Sequence, residues 1–269
     1  MKNIIIILVI LFSVTLQAQN FHNLVEKEKI EQRVALIIGN NNYNTLEHLK
    51  NPLNDARLMR DTLKKNGFTV LYKENAKIRE MKKLLKEFAH KITKNGGIGF
   101  YYFAGHSANV NGKNYLIGID ALLDNQDYIS HEAISLNSII KKMNNAHNRL
   151  NVIISDTCRN TIALNTFHNN HFGRGVGKGL LSLPNTKDIF LAYSTAPGEV
   201  ARDGEKGSNG ILTKYLVQNL KKEGASIGEV FTNTRIDVYA HTNSNQDPST
   251  YNKILKDFFF ILPTDREKK

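Results

Sequence analysis

Apolar, β-branched runs alternate with amphipathic segments along most of the chain, and this rhythm predicts strands separated by helices. The predicted strands are Arg33–Gly39, Phe68–Tyr72, Gly97–Ala104, Asn151–Ser155, Ile189–Tyr193 and a last one over Phe258–Leu262. Alternation of strands with helical segments is typical of a mainly parallel sheet covered on both faces. We therefore predict an α/β fold with a mainly parallel six-stranded sheet and helices on both faces.

The segments between the strands carry helix and turn signals. The first helix is predicted to begin with Asn51 as its cap and Pro52 as its first residue, and to end before Gly67. Ser226, with Glu229 three residues later, forms a predicted capping box. Apolar residues at helical spacing predict a further helix within Lys77–Lys94, whose lysines lie on the other face: Ile78, Met81, Leu85, Phe88 and Ile92. A hairpin is predicted to turn on Asn111-Gly112.

The chain divides into a leader, one domain and short flanking segments. Lys2 precedes an uncharged run over Ile4–Leu16 and a small residue at Ala18, the pattern of a signal peptide over residues 1–18. An uncleaved anchor or a buried strand would share the apolar run, but the abrupt change to charged residues after it favours cleavage. We expect an exported, periplasmic or secreted protein without a transmembrane anchor after cleavage. A linker over 19–32, one domain over 33–262 and a charged tail over 263–269 follow.

A glycine-rich stretch over residues 165–187 interrupts the alternation and predicts a long, flexible basic loop. It lacks the spacing of a phosphate-binding loop, because Phe172 and Gly179 occupy positions where a glycine and a hydroxyl are needed. His168 and His171 lie in this loop without further obvious ligands, which favours surface histidines over a metal site.

The net charge of +11 favours weak attraction to acidic polymers or anionic surfaces. No aromatic-interleaved basic stretch or nucleic-acid motif accompanies the charge, so we expect no specific nucleic-acid partner. The lysine-rich helix is most simply a solvated face. A single cysteine cannot form an internal disulfide, which leaves its thiol as buried filler or as a reactive group.

The strongest chemical signal is a histidine and that cysteine, each directly after a predicted strand. His106 follows the third strand, and Cys158 follows the fourth. Reactive groups collect beyond the carboxyl ends of parallel strands, so the imidazole can serve as base and acid for a thiolate nucleophile. The backbone N–H groups of Ser107 and Cys158 are candidate donors to an oxyanion. A packed cysteine and a satisfied loop histidine would explain either residue alone; the pair favours catalysis.

Asp156 lies two residues before the cysteine and is expected on the same face of the strand. It could form the acidic floor of a pocket for a basic side chain. It could equally accept hydrogen bonds from loop amides, and composition alone does not separate these interpretations.

Six segments in order give the chain a resemblance to the caspase-like cysteine peptidases, closest to the metacaspase and paracaspase branch. The resemblance covers about residues 33–262, which it identifies as a caspase-like peptidase domain. The matching segments are Ala35–Asn40, Asn51–Ala56, Tyr101–His106, Asn114–Ile117, Asp156–Arg159 and Ala192–Gly198.

The resemblance implies an endopeptidase that cleaves protein or peptide substrates after Arg or Lys, with acidic residues in the pocket for that side chain. The matching positions are Asp55, Asp156 and Asp203. A guanidinium suits such a pocket because its planar fork pairs with carboxylates. Without the resemblance, Asp55 is explained by the dipole of a helix and Asp203 by a turn.

Ser107 departs from the family, which usually has glycine after the histidine, and its side chain is expected to crowd the substrate oxygen. This departure raises the alternative of a catalytically inactive caspase-like binding module. A basic surface-binding protein is a further alternative, supported by charge alone.

The family implies two further properties. Metacaspases often need calcium, but only the sparse carboxylates of Asp120–Asp127 could contribute here, so we expect no cofactor and leave a calcium requirement open. Caspase-like enzymes are often cut after the nucleophile, and the glycine-rich loop offers Arg174 and Lys178 as sites of self-cleavage. Basic residues in a mobile loop of a lysine-rich protein would look the same.

Overall fold

A six-stranded sheet organises the fold in a computed structural model, which describes residues 31–92, 97–110, 112–123, 129–157, 186–195, 205 and 207–263. The strands of the described residues are β1 Arg33–Gly39, β2 Thr69–Glu74, β3 Ile98–Gly105, β4 Ser107–Val110, β5 Lys113–Ile117, β6 Ala133–Ser135, β7 Leu150–Thr157, β8 Ile189–Tyr193 and β9 Ser249–Asn252. The large sheet has the order β2-β1-β3-β7-β8-β9. Its first five strands are parallel, and β9 pairs antiparallel with β8.

The predicted sheet is confirmed as mainly parallel and six-stranded, but the predicted last strand is wrong. The sixth strand is β9, a polar segment at the edge of the sheet, and polar edge strands lack the apolar run that marks a buried strand. In the predicted segment, Phe259 makes an isolated bridge with Ser226. Phe258 and Phe260 are buried in the core, and Phe260 packs near Phe68 and Phe100. The apolar run reflects the burial of these rings.

Helices cover both faces of the sheet, as predicted. The described residues form α1 Pro52–Lys65, α2 Ile78–Lys91, α3 Ile129–Glu132, α4 Leu136–Asn144, α5 Ile211–Leu220 and α6 Ile227–His241. Helices α1, α5 and α6 pack with alternate residues of β1, β3, β7 and β8 in one core layer. Helices α2 and α4 pack on the opposite face, with the intervening residues of the same strands. Nearly every central strand residue is therefore buried, which explains the continuous apolar runs.

The helix signals are confirmed, with one difference in how a cap works. Helix α1 begins at Pro52, and Ser226 with Glu229 forms the capping box of α6. Asn51 precedes α1 but makes no side-chain cap. Its Nδ2 donates to the carbonyl of Glu205 (2.9 Å), and its Oδ1 accepts from the N–H of Gly207 (3.2 Å). The side chain of Asn51 thus holds a segment distant in sequence beside the start of α1.

A small second sheet begins where β3 ends. Strands β4, β5 and β6 form an antiparallel sheet in that order. Val110 pairs with Lys113, which is the register expected for the predicted hairpin, and Gly112 has a φ of 74°. No helix in the described ranges is long and apolar enough to span a bilayer.

Candidate active site

The register of two central strands puts the ends of β3 and β7 side by side. Strands β3 and β7 are parallel neighbours, and Gly105 lies opposite Thr157. His106 directly follows Gly105, and Cys158 directly follows Thr157 in the sequence. The chain therefore leaves both strands at the same level of the sheet, at the carboxyl edge where α/β proteins build their sites.

His106 is held by the segment that follows β1. Its Nε2 lies 2.8 Å from the carbonyl oxygen of Glu47. A carbonyl can only accept a hydrogen bond, so Nε2 carries a proton and Nδ1 is the nitrogen that can accept one in the neutral ring. The ring of Tyr43 packs 4.6 Å from the imidazole, between ring centroids, and fixes its plane.

Tyr43 also sets the backbone of the histidine. The His106 N–H donates to the hydroxyl oxygen of Tyr43 (2.8 Å). Burial raises the pKa of this hydroxyl well above its usual range, so it stays protonated. A Cβ at Gly105, whose φ is 156°, would lie 2.5 Å from the same oxygen. Glycine is therefore required before the histidine by the close approach of Tyr43.

Ser107 turns its hydroxyl towards the end of β7. The Ser107 hydroxyl donates to Oγ1 of Thr157 (2.9 Å), and the serine is 8% exposed. Ile117 N–H donates to the carbonyl of His106, and Ser107 faces Leu116. In this antiparallel register the backbone N–H of Ser107 points to the side of β4 away from β5.

Asp55 and Asp156 lie on the face of the sheet covered by α1 and α5. Asp156, at the end of β7, accepts hydrogen bonds at Oδ2 from Thr213 Oγ1 (2.6 Å) and the Tyr102 hydroxyl (3.2 Å). These two donors are hydroxyl groups of a neighbouring strand and helix. Asp55, in the first turn of α1, is 4% exposed.

The two carboxylates meet beside the start of α5. Oδ1 of Asp55 accepts from the Gly210 N–H (2.8 Å) and from Asn209 Nδ2 (3.0 Å). A Cβ built at Gly210 would lie 2.9 Å from Oδ2 of Asp55 and 3.7 Å from Oδ2 of Asp156. Gly210 thus lets the backbone approach both carboxylates closely.

Tyr102 shows the electrostatic character of this corner. Burial raises the pKa of its hydroxyl well above the usual range, and the charges of Asp156 and Asp55 raise it further. The hydroxyl therefore remains protonated at neutral pH and can donate to Asp156. Thr213 Oγ1, 2.6 Å from the same hydroxyl, completes a small polar cluster.

The structure thus places Asp55 and Asp156 close to Gly210, and it directs Ser107, the neighbour of His106 in sequence, to the end of β7. Other predicted residues lie outside the described ones: Cys158, Asp203, Arg174 and Lys178, together with most of the loop 165–187. Of the thin acidic stretch considered for calcium, Asp120 is described and accepts the N–H of Ile78 (2.8 Å).

Sequence reasoning missed the residues that support these predicted ones. Tyr43 and the carbonyl of Glu47 orient His106, whereas Tyr102, Thr213 and Gly210 surround the carboxylates. Strand period could have found Tyr102, because it lies on the same face as Ala104, the partner of Asp156. The others come from distant parts of the chain, and no local pattern marks them.

A family model described as "Caspase domain" matches residues 32–259. Two relatives are similar over 195 residues. One is the human mucosa-associated lymphoid tissue lymphoma translocation protein 1, 29% identical. The other is its homolog from Mus musculus, 28% identical. In each case the match covers 72% of this chain and 22% of the relative. The similarity to these larger proteins therefore concerns a part of them.

Proposed function

Since the chain belongs to the caspase domain family, a family of cysteine peptidases, we propose that it is an endopeptidase that cuts after Arg or Lys. His106 is the base and acid, and Cys158 is the nucleophile. The resemblance predicted from the sequence, to the metacaspase and paracaspase branch, is confirmed at the level of the family. The specificity and the catalytic pair are our proposal.

The observation that carries the proposal is the register of β3 and β7. Gly105 and Thr157 lie opposite each other on adjacent parallel strands, so the two strands end at the same level of the sheet. Such an arrangement supports hydrogen-bond contact between an imidazole and a thiol.

The hydrogen bond from His106 to Glu47 supports the direction of proton transfer. With a proton on Nε2, Nδ1 takes the proton of the thiol. The thiolate attacks the carbonyl carbon, and the C–N bond breaks as the imidazolium protonates the leaving amine. A water molecule, deprotonated by the same imidazole, then attacks the thioester and releases the acid and the thiol. Backbone N–H groups of Ser107 and Cys158 stabilise the oxyanion in both steps.

Asp55 and Asp156 support the proposed specificity. Oδ2 of each carboxylate lies close to Gly210, on the face of the sheet adjoining the end of β7, and we propose that the pocket for a basic side chain lies beside them. A guanidinium or ammonium group placed there exchanges its hydration for charge-assisted hydrogen bonds. Asp203 is proposed as a third carboxylate of this pocket on the basis of the resemblance alone.

Two further properties remain proposals. We propose export directed by residues 1–18, which N-terminal sequencing of the protein recovered outside the cytoplasm would test by finding a chain that starts near Gln19. We also propose that activity needs no metal cofactor, which a chelator tests. Activity that disappears with the chelator and returns with calcium would contradict this.

The decisive experiment is hydrolysis of matched fluorogenic peptides ending in Arg, Lys or Asp. The wild-type protein and Cys158→Ala are compared, each with calcium and with a chelator. Cleavage after Arg or Lys that is lost in the variant is the expected result. Cleavage after Asp would contradict the acidic pocket, and no cleavage under any condition would favour the inactive binding module.

A further inference from the structure

We propose that Thr157 is a positioning residue, which fixes the end of β7 relative to the histidine so that the nucleophile enters the site in one orientation. The inference rests on the proposed function, because it concerns the same pair of residues. It assigns a role to hydroxyl groups that no catalytic step uses.

The side chain of Thr157 joins the two strand ends. Its Oγ1 accepts the Ser107 hydroxyl (2.9 Å) and lies 3.2 Å from Oγ of Ser155. A threonine hydroxyl has one proton and two lone pairs, so Thr157 can accept from Ser107 while it donates to Ser155. The hydrogen bond from Ser107 to Thr157 thus links the residue after His106 to the residue before Cys158.

The backbone of Thr157 is held from the opposite side. Its carbonyl accepts the hydroxyl of Ser194, which follows β8 (2.7 Å). The carbonyl of Ser194 in turn accepts Nε2 of Gln246 (2.9 Å), and the Gln246 N–H donates to Oγ1 of Thr242 at the end of α6 (3.0 Å). A chain of hydrogen bonds therefore connects Thr157 to the end of α6.

Burial makes this network restrictive. Thr157 and Ser155 are each 3% exposed, and Ser194 and Gln246 are fully buried. Water cannot replace a hydrogen bond lost there, so an alternative position of Thr157 would leave buried polar groups unsatisfied. The network therefore favours a single position for the last residue of β7. A reaction between two side chains slows when they are misplaced by about 1 Å, so a single position of Thr157 favours catalysis by the residues beside it.

Ser107 gives the network its link to the histidine. The family usually has glycine at this position, and glycine has no hydroxyl to donate. In this chain the serine hydroxyl is directed to Thr157. We therefore expect the alignment of His106 and Cys158 to depend on Ser107 and Thr157 together.

The test compares Thr157→Val, which has nearly the same shape without the hydroxyl, with Thr157→Ser, which keeps it. Ser107→Ala removes the donor from the other strand and leaves threonine in place. Each full-length chain is assayed for kcat and KM on an Arg peptide, and for the rate of alkylation by iodoacetamide across pH. Because the chain has one cysteine, alkylation reports on Cys158 alone.

Thr234→Val is the matched control. Thr234 is a buried threonine of α6, 1% exposed, and its hydroxyl donates to the carbonyl of Val230 (2.7 Å). Thr234→Val removes a buried hydroxyl that belongs to a helix and not to either strand end. We expect it to lower the thermal unfolding temperature without changing kcat or the pH profile of alkylation.

We expect Thr157→Val and Ser107→Ala to lower kcat about tenfold with KM nearly unchanged, and to move half-maximal alkylation to higher pH. Thr157→Ser should retain the wild-type values. Wild-type kcat and alkylation in Thr157→Val and Ser107→Ala would overturn the proposal, as would equal loss in Thr234→Val. If the wild type cleaves no peptide, the proposed function fails, and the alkylation profiles alone decide: a displaced profile in Thr157→Val supports positioning, and an identical one overturns it.

Discussion

Neutralising Asp156 should reduce cleavage after Arg far more than it disturbs the fold. Asp156→Asn removes one negative charge and keeps the shape and an oxygen that can accept from Thr213 and Tyr102. The packing around β7 therefore has no reason to change. The proposed pocket beside Gly210 loses one of its two described carboxylates.

The size of the effect follows from Coulomb attraction in a partly buried pocket. A cation about 4 Å from a carboxylate, at an effective dielectric constant of about 20, is attracted by roughly 4 kcal/mol. Desolvation of the guanidinium offsets a part of this, so we expect a loss of about 3 kcal/mol, or roughly 150-fold in kcat/KM. Removal of a charge that binds the substrate side chain should act on peptides with Arg or Lys and leave the thiol chemistry intact.

The assay measures kcat/KM on an Arg peptide beside the alkylation rate of Cys158 by iodoacetamide, a neutral reagent that needs no acidic pocket. Asp61→Asn is the control for net charge, because Asp61 is exposed and pairs with Arg60 on α1. The expected result is a large loss of cleavage in Asp156→Asn with unchanged alkylation, and wild-type values for both in Asp61→Asn. Arg-peptide cleavage within twofold of the wild type in Asp156→Asn would refute the assignment of the pocket.

Other changes test separate parts of the structure. Gly210→Ala should raise KM for Arg peptides about tenfold, because its Cβ would lie 2.9 Å from Oδ2 of Asp55 and displace that carboxylate; steady-state kinetics with unchanged KM would contradict this. Arg57→Met should cost less than about 1 kcal/mol of unfolding free energy. The hydrogen bond from Arg57 lowers the pKa of Glu74 in the folded protein. The loss of stability in Arg57→Met should therefore be full above the usual glutamate pKa and vanish as the pH falls through the lowered pKa of Glu74. Chemical denaturation at several pH values measures this. Arg174→Gln with Lys178→Gln should prevent the proposed self-cleavage, and a wild-type chain that stays a single band on a denaturing gel while it cleaves peptides would contradict that proposal.

The apolar pattern of the strands predicted the fold because the central strands that carry it are also buried. Strand β1 and strand β8 have the predicted bounds, since both are covered on two faces and read as unbroken apolar runs. The last strand escaped prediction because β9 lies at an edge and is polar, whereas Phe258 and Phe260 are buried without forming a strand of the sheet. An apolar run signals burial, and burial does not require a strand.

Residues of the candidate site were predictable where they lie at the end of a strand, and not where their positions depend on tertiary contacts. His106 follows one buried apolar run and Asp156 lies at the end of another, so the sequence alone predicts that they share one edge of the sheet. Asn51 has the composition and position of a helix cap, yet its side chain binds Glu205 and Gly207 instead. Such partners lie more than 150 positions away in sequence, and no local pattern specifies them.

The position of Ser107 bears on the choice between a working peptidase and an inactive binding module. Its departure from glycine raised that alternative, because a side chain beside the oxyanion site could exclude the substrate. The hydroxyl instead donates to Thr157 inside the protein, and the serine is 8% exposed. A buried hydroxyl needs a hydrogen-bond partner in an active and an inactive protein alike, so kinetics must separate the two alternatives. Ser107→Gly therefore separates the alternatives: we expect it to reduce kcat, while faster cleavage in this variant would show that the serine does obstruct the substrate.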